Sequence, residues 1–334
     1  MTLPSNPLSQ EMIALVERLA PNEGYSLSAL DGVRFMRSDR PLGRTPVLYE
    51  PGIVIVCQGR KLGFLGDEVY VYDAQHYLVL SVPLPFSTET QASKEEPLLA
   101  VSIRLDLATV ADLALAIDAH DAARREGGPR EGGPHEGGPR EVAPRDHAPL
   151  GIASTPLSGE LADATVRLLR ALCSPLDAQV LGPALVREIG FRVLSGEQGG
   201  ALRAALAHQG RFGRVARALR RIHTDFAQPL DVTHLAQEAG MSVPAFHVNF
   251  KAVTQTSPIQ YIKSTRLHQA RLMMIRDGLT AASASARVGY ESASQFSREF
   301  KRFFGRAPVE EVRDMKASFA LSPAVAIGEF AAPH

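Results

Sequence analysis

The chain has 334 residues, of which 45% are hydrophobic and 22% charged, with a formal net charge of zero. That length predicts two or three domains with a buried core. No apolar run is long enough to cross a bilayer. The polar N-terminus MTLPSNPLSQ lacks a signal-peptide pattern, so we expect a cytoplasmic protein. Two cysteines, Cys57 and Cys173, exclude a disulfide framework and a multi-cysteine zinc site.

The net charge of zero conceals an asymmetry. Residues 211–316 hold 17 Lys and Arg against 9 Asp and Glu, a net charge of +8. From totals of 36 and 36, the rest of the chain keeps 19 basic and 27 acidic residues, a net charge of −8. Chance clustering of surface charge would give the same numbers, so charge alone does not decide whether the chain binds nucleic acid. A basic module joined to an acidic one is typical of a nucleic-acid-binding domain with a separate sensing domain.

The first part of the chain, residues 1–125, is predicted to be a β-rich domain. Residues 8–19 have the pattern of an amphipathic helix, and short β-branched and aromatic runs follow over 47–85 and 98–105. Glycine and proline turns separate these runs, which predicts an antiparallel barrel or sandwich. A second helix is predicted at 107–125, with an apolar side formed by Val110, Leu113, Leu115 and Ile117.

The repeat EGGPR-EGGPH-EGGPR begins a Gly/Pro-rich segment at 126–150. Gly-Gly-Pro triplets do not propagate a helix or a central strand, so a flexible linker is predicted. Residues 151–210 are predicted to be a helical connector, with helices at 158–173, 177–195 and 199–208. A small, apolar tail over 317–334 is expected to be disordered or loosely packed. The predicted fold class is therefore α+β, with an N-terminal antiparallel barrel and an all-α C-terminal domain.

The C-terminal domain, residues 211–316, contains one arrangement twice, at about 231–254 and 280–304. Each copy reads as a short helix, a glycine turn, a serine cap and a second helix, which is the sequence form of a helix-turn-helix. Ser257-Pro258 begins a longer helix between them. Twenty helical residues span about 30 Å, close to the ~34 Å turn of B-DNA. One chain is therefore predicted to place two recognition helices on one side of a duplex.

Phenylalanines four residues apart fix the buried side of each recognition helix, and the opposite side is then free to meet DNA. Arg298 is the predicted base reader, because a guanidinium can bind guanine O6 and N7 together. Lys301, Arg302 and Arg306 are predicted to bind phosphates. The predicted DNA-contacting residues are Ser242, Pro244, His247, Val248, Lys251, Ser257, Ser292, Ala293, Ser294, Ser297, Arg298, Lys301 and Arg302.

At this point the residues resemble a known family. LAQEAGMSVPAFHVNFKAVTQTSPIQYIKSTRLHQARLMM and SARVGYESASQFSREFKRFFGRAP are similar to the AraC/XylS family of bacterial transcription regulators. YEPGIVIVCQGRK and LVLSVPLP resemble the AraC-type N-terminal domain. The resemblance implies a cupin-like barrel that senses a small-molecule effector or mediates dimerisation. It also implies a cytoplasmic, often homodimeric regulator of promoter DNA, with RNA polymerase as a candidate partner. An arginine usual after the position of His247 is replaced by Val248, which cannot donate a hydrogen bond.

The barrel offers four candidate effector-site residues: Cys57, Arg60, Lys61 and His76. Nearby cations favour a reactive thiol at Cys57, whereas a buried strand cysteine is usually inert core, and the latter interpretation is preferred. One histidine cannot supply the facial set of a cupin metal enzyme. No metal, cofactor or catalytic residue is therefore predicted. The alternatives are a cupin enzyme, a DNA-repair protein that shares the DNA-binding module, and a pure interaction protein.

Overall fold

The computed structural model describes residues 7–126, 151–196, 199, 202, 203 and 211–318. The predicted linker and tail therefore lie outside the described residues, apart from Glu126, Ser318 and Ala317. Within the described ranges, no helix has the length and apolar character needed to cross a membrane. The N-terminal elements are α1 (Pro7–Leu19), β1 (Gly24–Leu27), β2 (Val33–Ser38), β3 (Leu42–Tyr49), β4 (Gly52–Gln58), β5 (Arg60–Leu65), β6 (Glu68–Asp73), β7 (His76–Leu80), β8 (Leu84–Gln91), β9 (Leu98–Arg104) and α2 (Leu107–Glu126).

The strands form one antiparallel, curled sheet in the order β1-β2-β9-β4-β7-β6-β5-β8-β3, which confirms the predicted α+β fold with a half-barrel at the N-terminus. β6 and β7 meet through a single residue pair, Asp73 with His76. The two parts of the sheet on either side of that hairpin enclose an apolar interior that includes Val54, Val56 and Phe86. Strand β4 is buried on both sides, because alternate side chains point to opposite faces of a strand.

The outer face of the sheet packs against helices. Ile53, Ile55 and Cys57 alternate with the inward residues of β4 and lie in a cluster with residues of α1, of α2 and of the two helices that follow β10. Helix α2 follows the predicted range closely, but one of its four predicted inward residues is misplaced. Leu115 is 70% exposed, whereas Val110 and Leu113 are buried. Leu115 is two residues from Leu113, which on a helix turns it to the other side.

The predicted helical connector begins with a strand that the sequence did not predict. Residues Ile152–Pro156 form β10, which pairs with β7 from Ile152 opposite Leu80 to Pro156 opposite His76. Helices α3 (Gly159–Leu172) and α4 (Pro175–Ser195) follow, as predicted. Both pack on the outer face of the sheet, so the connector is part of the N-terminal core. The strand was missed because a five-residue run has too few alternations to outweigh the helical pattern after it.

The C-terminal part is helical throughout. Its elements are α5 (Arg211–Thr224), α6 (Val232–Glu238), α7 (Val243–Thr254), α8 (Pro258–Arg276), α9 (Ala281–Arg287), α10 (Ala293–Phe304) and α11 (Pro308–Ser318). Helices α6 and α7 form the first helix-turn-helix unit, and α9 and α10 form the second. Gly240 and Gly289 turn the chain with φ of 63° and 81°, a backbone conformation that L side chains rarely adopt.

The half-barrel and the helical part are in direct contact. The Tyr261 hydroxyl at the start of α8 donates to the carbonyl oxygen of Pro83 at 2.5 Å. The backbone N–H of Gly151 donates to the carbonyl of Val253 at the end of α7, at 3.3 Å. Buried residues of α5 to α8 share one apolar cluster with the barrel interior. The corner between α7 and α8 is therefore held against the barrel.

Candidate nucleic-acid interface and barrel cavity

The first recognition helix, α7, is oriented by two buried phenylalanines. Phe246 and Phe250 are fully buried, with ring centroids 5.4 Å apart. The opposite side of the helix carries exposed Lys251 and Val248, and Val248 is 70% exposed. Pro244 is also exposed and His247 is half-buried. The predicted reading side of α7 thus faces outward, and its single formal positive charge is that of Lys251.

The second recognition helix, α10, repeats this geometry. Phe296 and Phe300 are fully buried, and their ring centroids are again 5.4 Å apart. Arg298 and Lys301 are exposed and make no salt bridge within the residues described, so their charges are available to a ligand. The Ser297 hydroxyl, by contrast, donates to the carbonyl of Ala293 at 2.9 Å. The other predicted residues of this unit, Ser292, Ala293, Ser294 and Arg302, are exposed.

Three of the predicted serines act as helix caps. Ser242, Ser257 and Ser292 each accept a hydrogen bond from the backbone N–H three residues on, at 3.4, 3.4 and 3.2 Å. Their caps leave the other N–H groups of the first turn pointing out of the helix, which suits an anion. Arg306 was expected to bind phosphate, but it forms an ion pair with Asp314 and lines a cavity beside the barrel.

Two braces hold the recognition helices and were not predicted. Arg266 of α8 donates to the carbonyls of Phe226 (2.7 Å), Gln228 (2.8 Å) and Gly289 (3.2 Å). Glu299 of α10 accepts from Lys263 (2.9 Å), Tyr290 (2.9 Å) and Gln295 (3.2 Å). The sequence offered one signal for these braces: Lys263 and Arg266 are charged residues on the helix predicted to join the two units. The groups that they contact cannot be predicted from sequence spacing.

The four candidate effector residues separate into three places. Cys57 is 1% exposed on the helix-facing side of β4, and burial raises the pKa of its thiol to about 12. Arg60 and His76 both contact Asp73 on the outside of the barrel, at 3.3 and 3.1 Å. Lys61 alone points inward. The structure therefore does not bring these four residues together into one site.

The barrel interior contains a small cavity of about 70 Å³. It adjoins a larger cavity of about 290 Å³ between the barrel and helix α8. Residues that line both cavities include Tyr25, Met36, Tyr49 and Lys61. Lys61 therefore lies at the border between the barrel interior and the interface with the helical part.

Lys61 is a buried ammonium group with weak partners. It is 2% exposed, and its Nζ is 3.2 Å from Thr90 Oγ1 and 3.5 Å from Met36 Sδ. No carboxylate forms a salt bridge with it among the residues described. Burial lowers the pKa of Lys61 to about 8, because desolvation disfavours the charged form.

Helix α8 contributes two further donors to the larger cavity. Arg271 forms a buried ion pair with Glu311 (3.2 Å), and its Nη2 donates to the barrel carbonyl of Pro46 (3.1 Å) and to His268 Nδ1 (3.3 Å). Since Nδ1 of His268 accepts, its ring proton is on Nε2. Arg271 Nε and His268 Nε2 are buried without a hydrogen-bond partner among the described residues. Both residues line the larger cavity together with Lys61, and the Arg271 guanidinium also lies over the ring of Phe304.

Metal binding has no support in the residues described, where no cluster of three His, Cys, Asp or Glu side chains could hold an ion. The site chemistry that the described residues offer is hydrogen-bond donation: to an anion in the cavity, and to a polyanion along the recognition helices.

Comparison with known proteins gives two family matches. The family described as "AraC-type transcriptional regulator N-terminus" matches residues 29–201, more than half of the chain. A "Helix-turn-helix domain" model matches residues 235–314. The first match extends across β10, α3 and α4, in agreement with their packing on the barrel.

Individual relatives match shorter stretches of the chain. A putative AraC-like transcription regulator of Streptomyces lividans is 35% identical over 94 residues, 28% of this chain and 31% of its own length. The regulator AlkR of Acinetobacter baylyi is 31% identical over 94 residues, again 28% and 31%. The chain thus spans less than a third of the length of these curated relatives.

Among solved structures, ToxT from Vibrio cholerae strain SCE256, with an unsaturated fatty acid bound, has a TM-score of 0.53 at 11% identity. The superposition covers 87% of this chain and 95% of ToxT. ToxT from strain O395 bound to (E)-4-(8-methylnaphthalen-1-yl)but-3-enoic acid has a TM-score of 0.51 at 10% identity and covers 87% and 99%. At these identities the likeness shows a shared fold across both parts of the chain.

Proposed function

Because this chain belongs to the family of AraC-type transcriptional regulators, we propose that it binds promoter DNA through α7 and α10 under the control of an effector. The observation that carries the proposal is the matched pair of recognition helices, each anchored by two phenylalanines 5.4 Å apart. Helix α8 between them has 19 residues, or about 28 Å, which suits successive turns of one major groove.

The DNA-binding proposal is tested by footprinting on the region upstream of the protein's own gene and its neighbours. We expect a protected segment that spans two turns of the duplex on one face, since a single chain carries both helices. A scrambled duplex of equal length is the control. Equal affinity for both duplexes would refute sequence-specific binding and would favour the interaction-protein alternative.

For the effector we propose an amphiphilic carboxylate. Both ToxT complexes above contain an organic acid, and this chain has a comparable fold. Lys61 and Arg271 both line the larger cavity and supply the positive charge that a carboxylate headgroup would meet. The adjoining apolar cavity, lined in part by Phe35, Val54 and Leu80, suits a hydrocarbon tail. Such a ligand would contact the barrel and α8 together and so couple effector binding to the DNA-binding part.

Titration calorimetry with oleate, an unsaturated fatty acid, tests the effector class. Lys61→Met should weaken oleate binding at least tenfold, because it removes the inward cation while keeping the volume of the side chain. Lys94→Met, on an exposed loop, is the matched control and should bind like the unmodified protein. Equal oleate affinity in Lys61→Met and Lys94→Met would exclude Lys61 from the site.

We also propose that the protein is a homodimer that acts in the cytoplasm and contacts RNA polymerase at its promoters, without catalytic activity. Support for the dimer comes from α4, whose outer side carries exposed Leu176, Val180 and Phe191. These residues are separated by four and eleven positions and form one apolar stripe. Light scattering should give twice the chain mass, and Val180→Glu should give the monomer mass. A monomer mass for the unmodified protein would exclude this dimer.

A further inference from the structure

Val248 is an apolar side chain on the outward side of the first recognition helix. It is 70% exposed, and exposed Pro244 and Lys251 lie four residues before it and three residues after it, on the same side of α7. In the helical part that the structure describes, the other exposed large hydrophobic side chains are Ile259 and Val309. Neither belongs to a recognition helix, so Val248 combines apolar character with a place on the predicted reading side.

Val248 occupies the same position in α7 as Arg298 in α10. Both recognition helices have 12 residues and begin after a capping serine, and the two residues are the sixth of their helices. The paired phenylalanines have ring centroids 5.4 Å apart in both helices, so each helix turns the same side outward. The two units therefore present chemically different groups, an isopropyl group and a guanidinium group, at equivalent points of their reading sides.

The fold itself gains little from a valine at this position. The side chain of Val248 lies mostly outside the core, and valine is a weaker helix former than arginine because it is branched at Cβ. An apolar side chain in water also forgoes the free energy that its burial would release. Contact with an apolar group of a ligand would recover that free energy.

The base edges in the major groove of DNA offer one apolar substituent, the C5 methyl group of thymine. The other groups that distinguish the base pairs there are hydrogen-bond donors and acceptors. Valine cannot bond to them, so placing it against a G·C pair removes water from polar atoms without replacing the lost hydrogen bonds. Such a side chain on the reading side favours thymine by apolar contact and disfavours a G·C pair by desolvation.

We propose that Val248 packs against the methyl group of a thymine and so makes the first unit a reader of an A·T pair. This inference rests on the proposed DNA-binding function and adds the base preference of the first unit. Successive half-sites on one side of B-DNA are about 10 base pairs apart. The thymine should therefore lie about 10 base pairs from the guanine predicted to contact Arg298.

The test removes single methyl groups from the DNA. Each thymine of the footprinted promoter duplex is replaced in turn by deoxyuridine, which keeps the base pair and lacks only the C5 methyl group. Binding of the full chain is measured by fluorescence anisotropy. Replacement of one thymine should weaken binding by the unmodified protein about fourfold, the effect of about one methyl group left in water. In Val248→Ala the same replacement should have almost no effect, because the contact is already lost.

Two further variants sharpen the result. Val309→Ala is the matched control, because Val309 is 72% exposed and lies on α11, outside both recognition helices. It should keep the full effect of the deoxyuridine replacement. Val248→Arg gives the two units the same reading group, so the preferred base at this position should change from thymine to guanine.

Equal sensitivity to every deoxyuridine in Val248→Ala and in the unmodified protein would overturn the proposal. Val248 would then contact another protein or remain in water. A scrambled duplex separates this result from a failure of the proposed function. If the unmodified protein binds the promoter and scrambled duplexes equally, sequence-specific binding itself fails. If it prefers the promoter duplex but Val248→Ala leaves the deoxyuridine effects unaltered, only the thymine contact fails.

Discussion

Gln255 and Gly305 occupy the same position at the ends of the two recognition helices, and both have left-handed backbone, with φ of 56° and 81°. Each follows a helix of 12 residues and donates its N–H to the carbonyl of a lysine, Lys251 or Lys301. Glycine adopts this conformation freely, whereas glutamine carries a cost of about 1–2 kcal/mol. The first unit therefore stores backbone strain that the second avoids.

Separate replacement of each residue should change the stability of the protein in opposite directions. Gly305→Ala should lower the free energy of unfolding by about 1 kcal/mol, because no atom lies near the added methyl and only the backbone conformation is disfavoured. Gln255→Gly should leave it unchanged or raise it by up to about 1 kcal/mol. Urea denaturation measures both. A large loss of stability in Gln255→Gly would show that the side chain of Gln255 makes an essential contact with the barrel.

Base reading should depend on Arg298 more than on any residue of α7. Arg298→Ala should weaken promoter binding by about 1–3 kcal/mol and relax the preference at one base pair. Lys301→Gln is the comparison: it should weaken binding equally on all sequences, since a phosphate contact carries no sequence information. Competition assays on a set of single-base variants distinguish the two. If Arg298→Ala kept the base preference of the unmodified protein, Arg298 would not contact a base, and α10 would lie in the groove in a different orientation from the one proposed.

Acid should destabilise the protein through His223. Burial lowers the pKa of His223 to about 4, and its Nε2 is 2.7 Å from the hydroxyl of Tyr261, which donates to Pro83. Because the folded pKa is below the ordinary 6.5, the unfolded chain binds more protons between pH 6.5 and 4, and stability falls as pH falls through that range. One such group contributes at most about 1.4 kcal/mol per pH unit.

His223→Gln keeps a hydrogen-bond donor but does not titrate, so it should reduce the slope of unfolding free energy against pH. The slope should not vanish, because burial also lowers the pKa of His268 well below its ordinary value. Urea melts at pH 4.5, 5.5, 6.5 and 7.5 measure this. The same slope in both proteins would mean that His223 is solvated in solution.

The two cysteines should differ in reactivity. Burial raises the pKa of Cys57 to about 12, whereas Cys173 is only partly buried. In native protein at pH 8, a disulfide reagent such as DTNB should modify one thiol rapidly, and Cys173→Ser should abolish that phase. Cys57 should react only after unfolding. Rapid modification of Cys57 in Cys173→Ser would revive the thiol-sensor hypothesis.

The spacing of residues along the sequence was sufficient to predict the features that depend on one helix or one turn. Phe246 and Phe250, or Gly240 before Ser242, define a helix face and a turn with no knowledge of the rest of the fold. Arg60 and Lys61 show the limit: adjacent residues of a strand face opposite sides, and which one points inward depends on the register of β5 with β6 and β8. The contacts of Arg266 and Arg271 with distant carbonyls depend on tertiary packing alone.

Because of strand β10, the N-terminal domain continues past the Gly/Pro-rich segment. The Gly/Pro-rich segment looks like the natural place to divide the chain, yet the strand that follows it completes the sheet beside β7. A fragment that stops at residue 126 would lack that strand and the two helices packed on the outer face. Such a fragment should aggregate through the open edge of β7, and co-expression with residues 151–334 should rescue it by complementation. Expression plasmids for the sensing half are therefore best ended after α4.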